Sequence, residues 1–93
     1  MDTNLVVSLV KARLGLSGET RDTYIAAIVS GAIKEMEDEK GLVLDGANPY
    51  HLMFIVDFAT WRYLNRDQPG AMPRHLQFRL HNLIISGGGA SDV

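Results

Sequence analysis

The stretch from residue 48 to 66, NPYHLMFIVDFATWRYLNR, constrains the fold most because it is apolar on two sides. Asn48 is a favourable N-cap and Pro49 suits the first helical position, so the stretch is predicted to be one helix. On a helical wheel two apolar stripes lie on nearly opposite sides. One stripe contains Leu52, Val56, Ala59 and Tyr63, and the other contains Phe54, Phe58 and Trp61. Such a helix must be covered from more than one direction, which predicts a central core helix.

A membrane span is not the better interpretation of this stretch. A spanning helix needs about 20 predominantly apolar residues, and Asp57, Arg62 and Arg66 interrupt this one. The whole chain has 93 residues, enough for one domain with a modest core. We therefore expect a single domain over residues 1–86 that works in solution without a membrane partner.

A leading helix and a long second helix are predicted before the central one. Asp2, Thr3 or Asn4 can cap the leading helix, which ends at Gly15. One face of it is lined by Leu5, Val6, Leu9 and Arg13, and we interpret the helix as a lid and not as part of the core. The second helix is predicted over residues 23–40, with one apolar face formed by Ile25, Ile28, Val29, Ala32, Ile33 and Met36.

Short polar and glycine-containing segments separate the predicted helices. Asp22 is the expected N-cap of the second helix, and Gly41 is the residue expected to close it in the left-handed conformation. Residues 42–44 are apolar and long enough only for a short extended segment. The pattern predicts an all-α bundle of three main helices and a short N-terminal helix, with at most that one extended segment.

The last helix is predicted over residues 73–86, beginning at Pro73. Its inward face is apolar and consists of Leu76, Leu80, Leu83 and Ile84. Residues 87–93 are rich in glycine, which favours a flexible tail.

The sequence contains no recognisable pattern of catalytic or metal-binding residues. His51, His75 and His81 lack the short spacings of metal-ligating histidine pairs. The chain has no cysteine, and no serine lies in a GxSxG context. We expect no enzymatic activity, no cofactor and no bound metal ion.

Asp57 is the polar residue that most needs a structural explanation. Its neighbours on the wheel are mainly apolar, and an unpaired buried carboxylate would cost several kcal/mol. An arginine of the last helix or a nearby backbone amide would satisfy it. We interpret Asp57 as a member of a structural group in the core, together with Trp61, Tyr63 and Arg66.

Two surface patterns suggest contacts with another chain. An acidic run ends the second helix, and its residues Glu35, Asp38 and Glu39 form either a solvated face or a contact with basic residues. A second face of the last helix either covers the edge of the core or forms an exposed apolar patch with cationic neighbours. The candidate subunit interface therefore combines the acidic residues with Arg74, Phe78, Arg79 and Ile85, and His81 aligns with this second face.

The order of these elements is similar to that of a known protein family. A short helix ends in LGL, Asp22 leads into TYIAAIVSGAIKEMEDEKG, and the central helix ends in WRYLNRD. A Pro/Gly loop and the closing helix MPRHLQFRLHNLI follow. This layout resembles the small head-tail connector (adaptor) proteins of tailed bacteriophages and prophages. The YxxR pattern at Tyr63 and Arg66 is the most family-like piece.

The resemblance implies an all-helical structural subunit that forms a ring beneath the portal and extends the DNA exit channel. Its implied partners are further copies of the chain, the phage portal protein and a neck or tail-completion protein. DNA would pass through the channel only as cargo, and a monomeric free protein is compatible with this assembly. The implied location is the head-tail junction of the virion, after synthesis in the cytoplasm of the bacterial host.

A competing interpretation is a nucleic-acid-binding helical domain. Its last helix would enter a groove and present Arg74, His75, Arg79 and His81. The net charge of -2 weighs against this interpretation, because proteins that bind many phosphates normally carry a basic patch.

Overall fold

The computed structural model describes residues 1–68 and 70–88, and over these residues it contains helices and no β-strand. The helices are α1 (Thr3–Leu14), α2 (Asp22–Asp38), α3 (Pro49–Leu64) and α4 (Arg74–Leu83), and a π-helical turn over Ile84–Gly88 continues α4. The predicted all-α class is confirmed. Of the predicted tail, Gly87 and Gly88 belong to the π-helical turn, and the remainder lies outside the described residues.

Helices α1, α2 and α3 form the core, and each of them contacts the other two. Helix α3 is the central element, because both of its apolar stripes are covered: Phe54 and Phe58 are buried on one side, and Val56 and Ala59 on the other. Asn48 caps α3 as predicted, since its side chain accepts a hydrogen bond from the Tyr50 backbone N–H at 2.9 Å.

Helix α3 ends at Leu64, two residues earlier than the sequence pattern predicts. Polar side chains that follow it contact its last turn. The Asn65 side-chain amide donates to the Trp61 carbonyl at 2.9 Å, and Arg66 Nη1 donates to the Tyr63 carbonyl at 2.6 Å. The Trp61 carbonyl also accepts from the Asn65 backbone N–H at 3.0 Å, so these side chains supplement the last backbone bonds of the helix.

Helix α1 is part of the core, so the prediction that it is only a lid is wrong. Val6 and Val10 are fully buried, whereas Leu5, predicted on the inner face, is 42% exposed. The buried positions are four residues apart and mark the side of α1 that faces α2 and α3.

The ends of α2 also differ from the prediction. The N-cap position belongs to Arg21, and Asp22 is the first helical residue, with its carboxylate 2.6 Å from Lys11 Nζ of α1. The helix ends at Asp38 because Gly41 adopts a φ of 68° and the Leu42 N–H donates back to the Met36 carbonyl at 3.0 Å.

Two glycines give a matched test of the helix assignments. Gly31 lies inside α2 with open space where an added Cβ would lie, so Gly31→Ala should raise the free energy of unfolding by about 0.5–1 kcal/mol. Gly15 closes α1 at a φ of 73°, where an L side chain is strained, so Gly15→Ala should lower it by about 1 kcal/mol. Urea denaturation followed by circular dichroism measures both changes. Shifts of the same sign would contradict these assignments.

Candidate subunit interface

Helix α4 is the least enclosed of the described helices. Its helix partner is α3 alone, whereas α1, α2 and α3 each have at least two helix partners. Within α4, Leu76 and Leu80 are the buried residues, and they face α3 as the sequence pattern predicts. A helix held along one side leaves its remaining sides available to another molecule.

An ion pair also attaches α4 to α3, in addition to the apolar contacts of Leu76 and Leu80. Arg79 Nη1 of α4 donates to Asp57 Oδ2 of α3 at 2.5 Å, and Arg13 of α1 donates to Asp57 Oδ1. The Asp57 side chain is 19% exposed. The Arg79 guanidinium also lies 5.7 Å from the centroid of the Phe54 ring. Asp57 therefore joins α1, α3 and α4, and the donor from the last helix is Arg79.

The Asp57 bridge, formed by these ion pairs, changes the expected role of Arg79. The candidate interface includes Arg79 as a cation for a neighbouring chain, but this side chain is bound to Asp57 within its own chain. The same constraint applies to a DNA-binding α4, which would need the Arg79 guanidinium to reach a groove.

The acidic end of α2 is also partly used within the chain. Glu35 forms an ion pair with Arg62 Nη2 at 2.5 Å, and Asp38 lies 3.3 Å from Lys34 one turn earlier in the helix. Glu39 is exposed and, among the described residues, belongs to no ion pair. The charge remaining at this end is therefore carried by the exposed Glu37 and Glu39, which belong to no ion pair among the described residues, and by Asp38, whose pair with Lys34 is solvent-exposed.

The side of α4 that points away from α3 carries the largest apolar exposure in that helix and the turn after it. Phe78 is 62% exposed and Ile85 is 68% exposed. Arg74 and His81 are exposed at neighbouring positions along the same side. We call these four residues the outer face of α4. Neither Phe78 nor Ile85 covers the edge of the core, which was the alternative left open by the sequence.

A cleft of about 790 Å³ lies on one flank of α4, between it and the start of α3. We call it the apolar cleft, because its lining includes the exposed side chains of Val43, Tyr50 and Met53. The sequence pattern does not predict a site at these residues. Two of them could have been identified from the sequence, because Tyr50 and Met53 are large side chains that lie outside both apolar stripes of α3.

A second cleft of about 870 Å³ lies on the other flank of α4, beside the last turns of α3. We call it the polar cleft. Trp61 lines it and is half-buried, with its ring 6.0 Å from that of Phe58. Tyr63 is buried, and Arg66 is exposed with its guanidinium 4.3 Å from the Tyr63 ring centroid. The proposed structural group is thus divided, because Arg66 contacts Tyr63 and does not pair with Asp57.

The described ranges 1–68 and 70–88 hold no group of three or more histidine or acidic residues arranged to bind a metal ion. None of their helices combines the length and apolar character that crossing a membrane requires. Comparisons with protein-family models, curated proteins and solved structures found no match.

The Asp57 bridge predicts unequal effects of removing its members. Asp57→Ala should lower the free energy of unfolding by about 1–3 kcal/mol, because it leaves the partly buried Arg79 guanidinium without its acceptor. Arg13→Ala should cost less than about 1 kcal/mol, because the Arg13 side chain is 54% exposed. Urea denaturation midpoints measure both. Equal losses, or an unchanged midpoint for Asp57→Ala, would show that the bridge does not stabilise the fold.

Proposed function

We propose that this chain is a structural assembly subunit that forms a ring at the head-tail junction of a tailed phage or prophage particle. The observation that carries the proposal is the outer face of α4, where Phe78 and Ile85 are both more than half exposed. Exposed apolar side chains beside charged ones are typical of interaction surfaces. The resemblance to head-tail connector proteins supplies the kind of assembly.

A closed ring needs two different complementary patches on each subunit, since one patch of a copy meets another patch of the next. The outer face of α4 is one patch, and its cation is Arg74. The exposed carboxylates of Asp38 and Glu39 at the end of α2 offer a complementary patch. Glu35 and Arg79 contribute less, because their ion pairs within the chain are less exposed to solvent than the pair of Asp38 with Lys34.

Apolar and charged residues have different roles in this contact. An exposed ion pair contributes at most about 1 kcal/mol, whereas burial of a large apolar side chain contributes about 1.5–3 kcal/mol. Phe78 and Ile85 therefore provide most of the affinity between copies. The charges align the copies and disfavour other arrangements.

The ring would stand between two other components of the particle. By the resemblance, one side meets the portal protein and the other meets a neck or tail-completion protein, and DNA passes through the channel as cargo. The isolated subunit has a core formed by α1, α2 and α3, so it can fold before it assembles.

Serine substitutions on the outer face test the proposed assembly. Sedimentation velocity over a concentration series should show self-association of the wild-type chain. Phe78→Ser combined with Ile85→Ser should weaken it by at least about tenfold, because two large apolar side chains no longer become buried. Leu5→Ser is the matched control, since Leu5 is exposed on α1, which does not contact α4.

Two results would contradict the proposal. The first is a double variant that remains folded and associates as strongly as the wild type. The second is a wild-type chain that stays monomeric at millimolar concentration while binding duplex DNA with a steep salt dependence, which would favour the nucleic-acid interpretation.

A further inference from the structure

The polar cleft has an apolar floor, and its accessible part is formed by Trp61 and Ile84, which are half-buried. Phe58 and Leu80 also line the cleft, but both are buried in the core. Its volume of about 870 Å³ lies within the range of about 300–1,000 Å³ found for clefts that bind drug-sized ligands. The floor alone favours a ligand with a large apolar group.

The charged residues around the cleft indicate that this ligand carries a negative charge. Lys40, Arg62 and Arg66 line it as cations, and the acidic lining residues are Glu35 and Asp67. Glu35 is paired with Arg62. Neither Lys40 nor Arg66 forms an ion pair with any described residue. The lining therefore carries an excess of one positive charge, with Lys40 and Arg66 available to an anionic group and Asp67 as its one carboxylate outside an ion pair.

Arg66 is held in a geometry suited to a carboxylate. Its guanidinium lies over the Tyr63 ring, and Nη1 donates to the Tyr63 carbonyl at 2.6 Å. A guanidinium has five N–H donors in a planar fork, so this contact leaves donors for a planar acceptor. Because the side chain is already positioned, less conformational entropy is lost when it binds an anion.

We propose that the polar cleft binds a peptide segment of a partner protein in which a carboxylate side chain lies next to a large apolar side chain. The carboxylate pairs with Arg66, with Lys40 nearby, and the apolar side chain covers Trp61. Glu35 and Asp67 on the same rim disfavour a polyphosphate backbone. The proposed contact centres on Arg66 and Trp61, which do not belong to the outer face of α4, so the inference does not depend on ring assembly. His81 borders both surfaces.

Trp61 is the only tryptophan of the chain and reports directly on the cleft. The probe is the capped peptide Ac-EFDLEF-amide, compared with its charge-reversed counterpart Ac-KFKLKF-amide. Only the acidic peptide should give a saturable change in Trp61 fluorescence. Arg66→Gln should raise its Kd on the order of tenfold, which is the effect of losing one charge-assisted contact.

Two further variants complete the test. Lys40→Gln, at an exposed position beyond the end of α2, should also weaken binding and leaves the Arg66–Tyr63 contact intact. Arg21→Gln is the matched control, because Arg21 is exposed at the start of α2, does not line the polar cleft and should leave the Kd unchanged. The inference is overturned if both peptides bind equally, if no saturable change occurs up to millimolar peptide, or if the folded Arg66→Gln and Lys40→Gln variants bind like the wild type. It is also overturned if these variants lose only self-association, since the cleft would then be a contact between copies.

Discussion

The carboxylate of Asp57 is where three of the four helices meet. It accepts hydrogen bonds from Arg13 of α1 and Arg79 of α4, and it stands on α3, which the other described helices all contact. Removing one member of a partly buried ion pair leaves the other charge without a partner. The resulting loss of folding free energy is larger than the stability that the pair provides relative to an apolar replacement. The bridge therefore fixes the position of α4 on α3, and with it the direction in which Phe78 and Ile85 point.

This attachment explains why one helix can carry several surfaces. Leu76 and Leu80 face α3, and the rest of α4 borders the outer face, the apolar cleft and the polar cleft. The three-helix core supplies stability without α4 having to be enclosed. Helix α4 thereby leaves exposed the surfaces on which the proposed contacts depend.

The features that could be predicted from the sequence are those set by local chemistry. Both apolar stripes of α3 and the Asn48 cap depend on spacing within one helix, and both predictions were correct. The burial of Val10 was missed, because the side of a short helix that meets the core depends on its neighbours. An arginine of the last helix was one of the two donors expected for Asp57. That this donor is Arg79, which was assigned to the subunit interface, could not be predicted because it depends on how α4 is aligned along α3. The clefts were not predictable, because they arise only where separate helices lie side by side.

Hydrogen exchange measured at two protein concentrations tests most directly whether α4 is the surface that assembly covers. Helices with few tertiary contacts open more readily than core helices. In dilute protein the amides of α4 should exchange faster than those of α1, α2 and α3, and at high concentration the protection of α4 should rise selectively. Protection of α4 that does not depend on concentration, or a rise confined to another helix, would contradict this account.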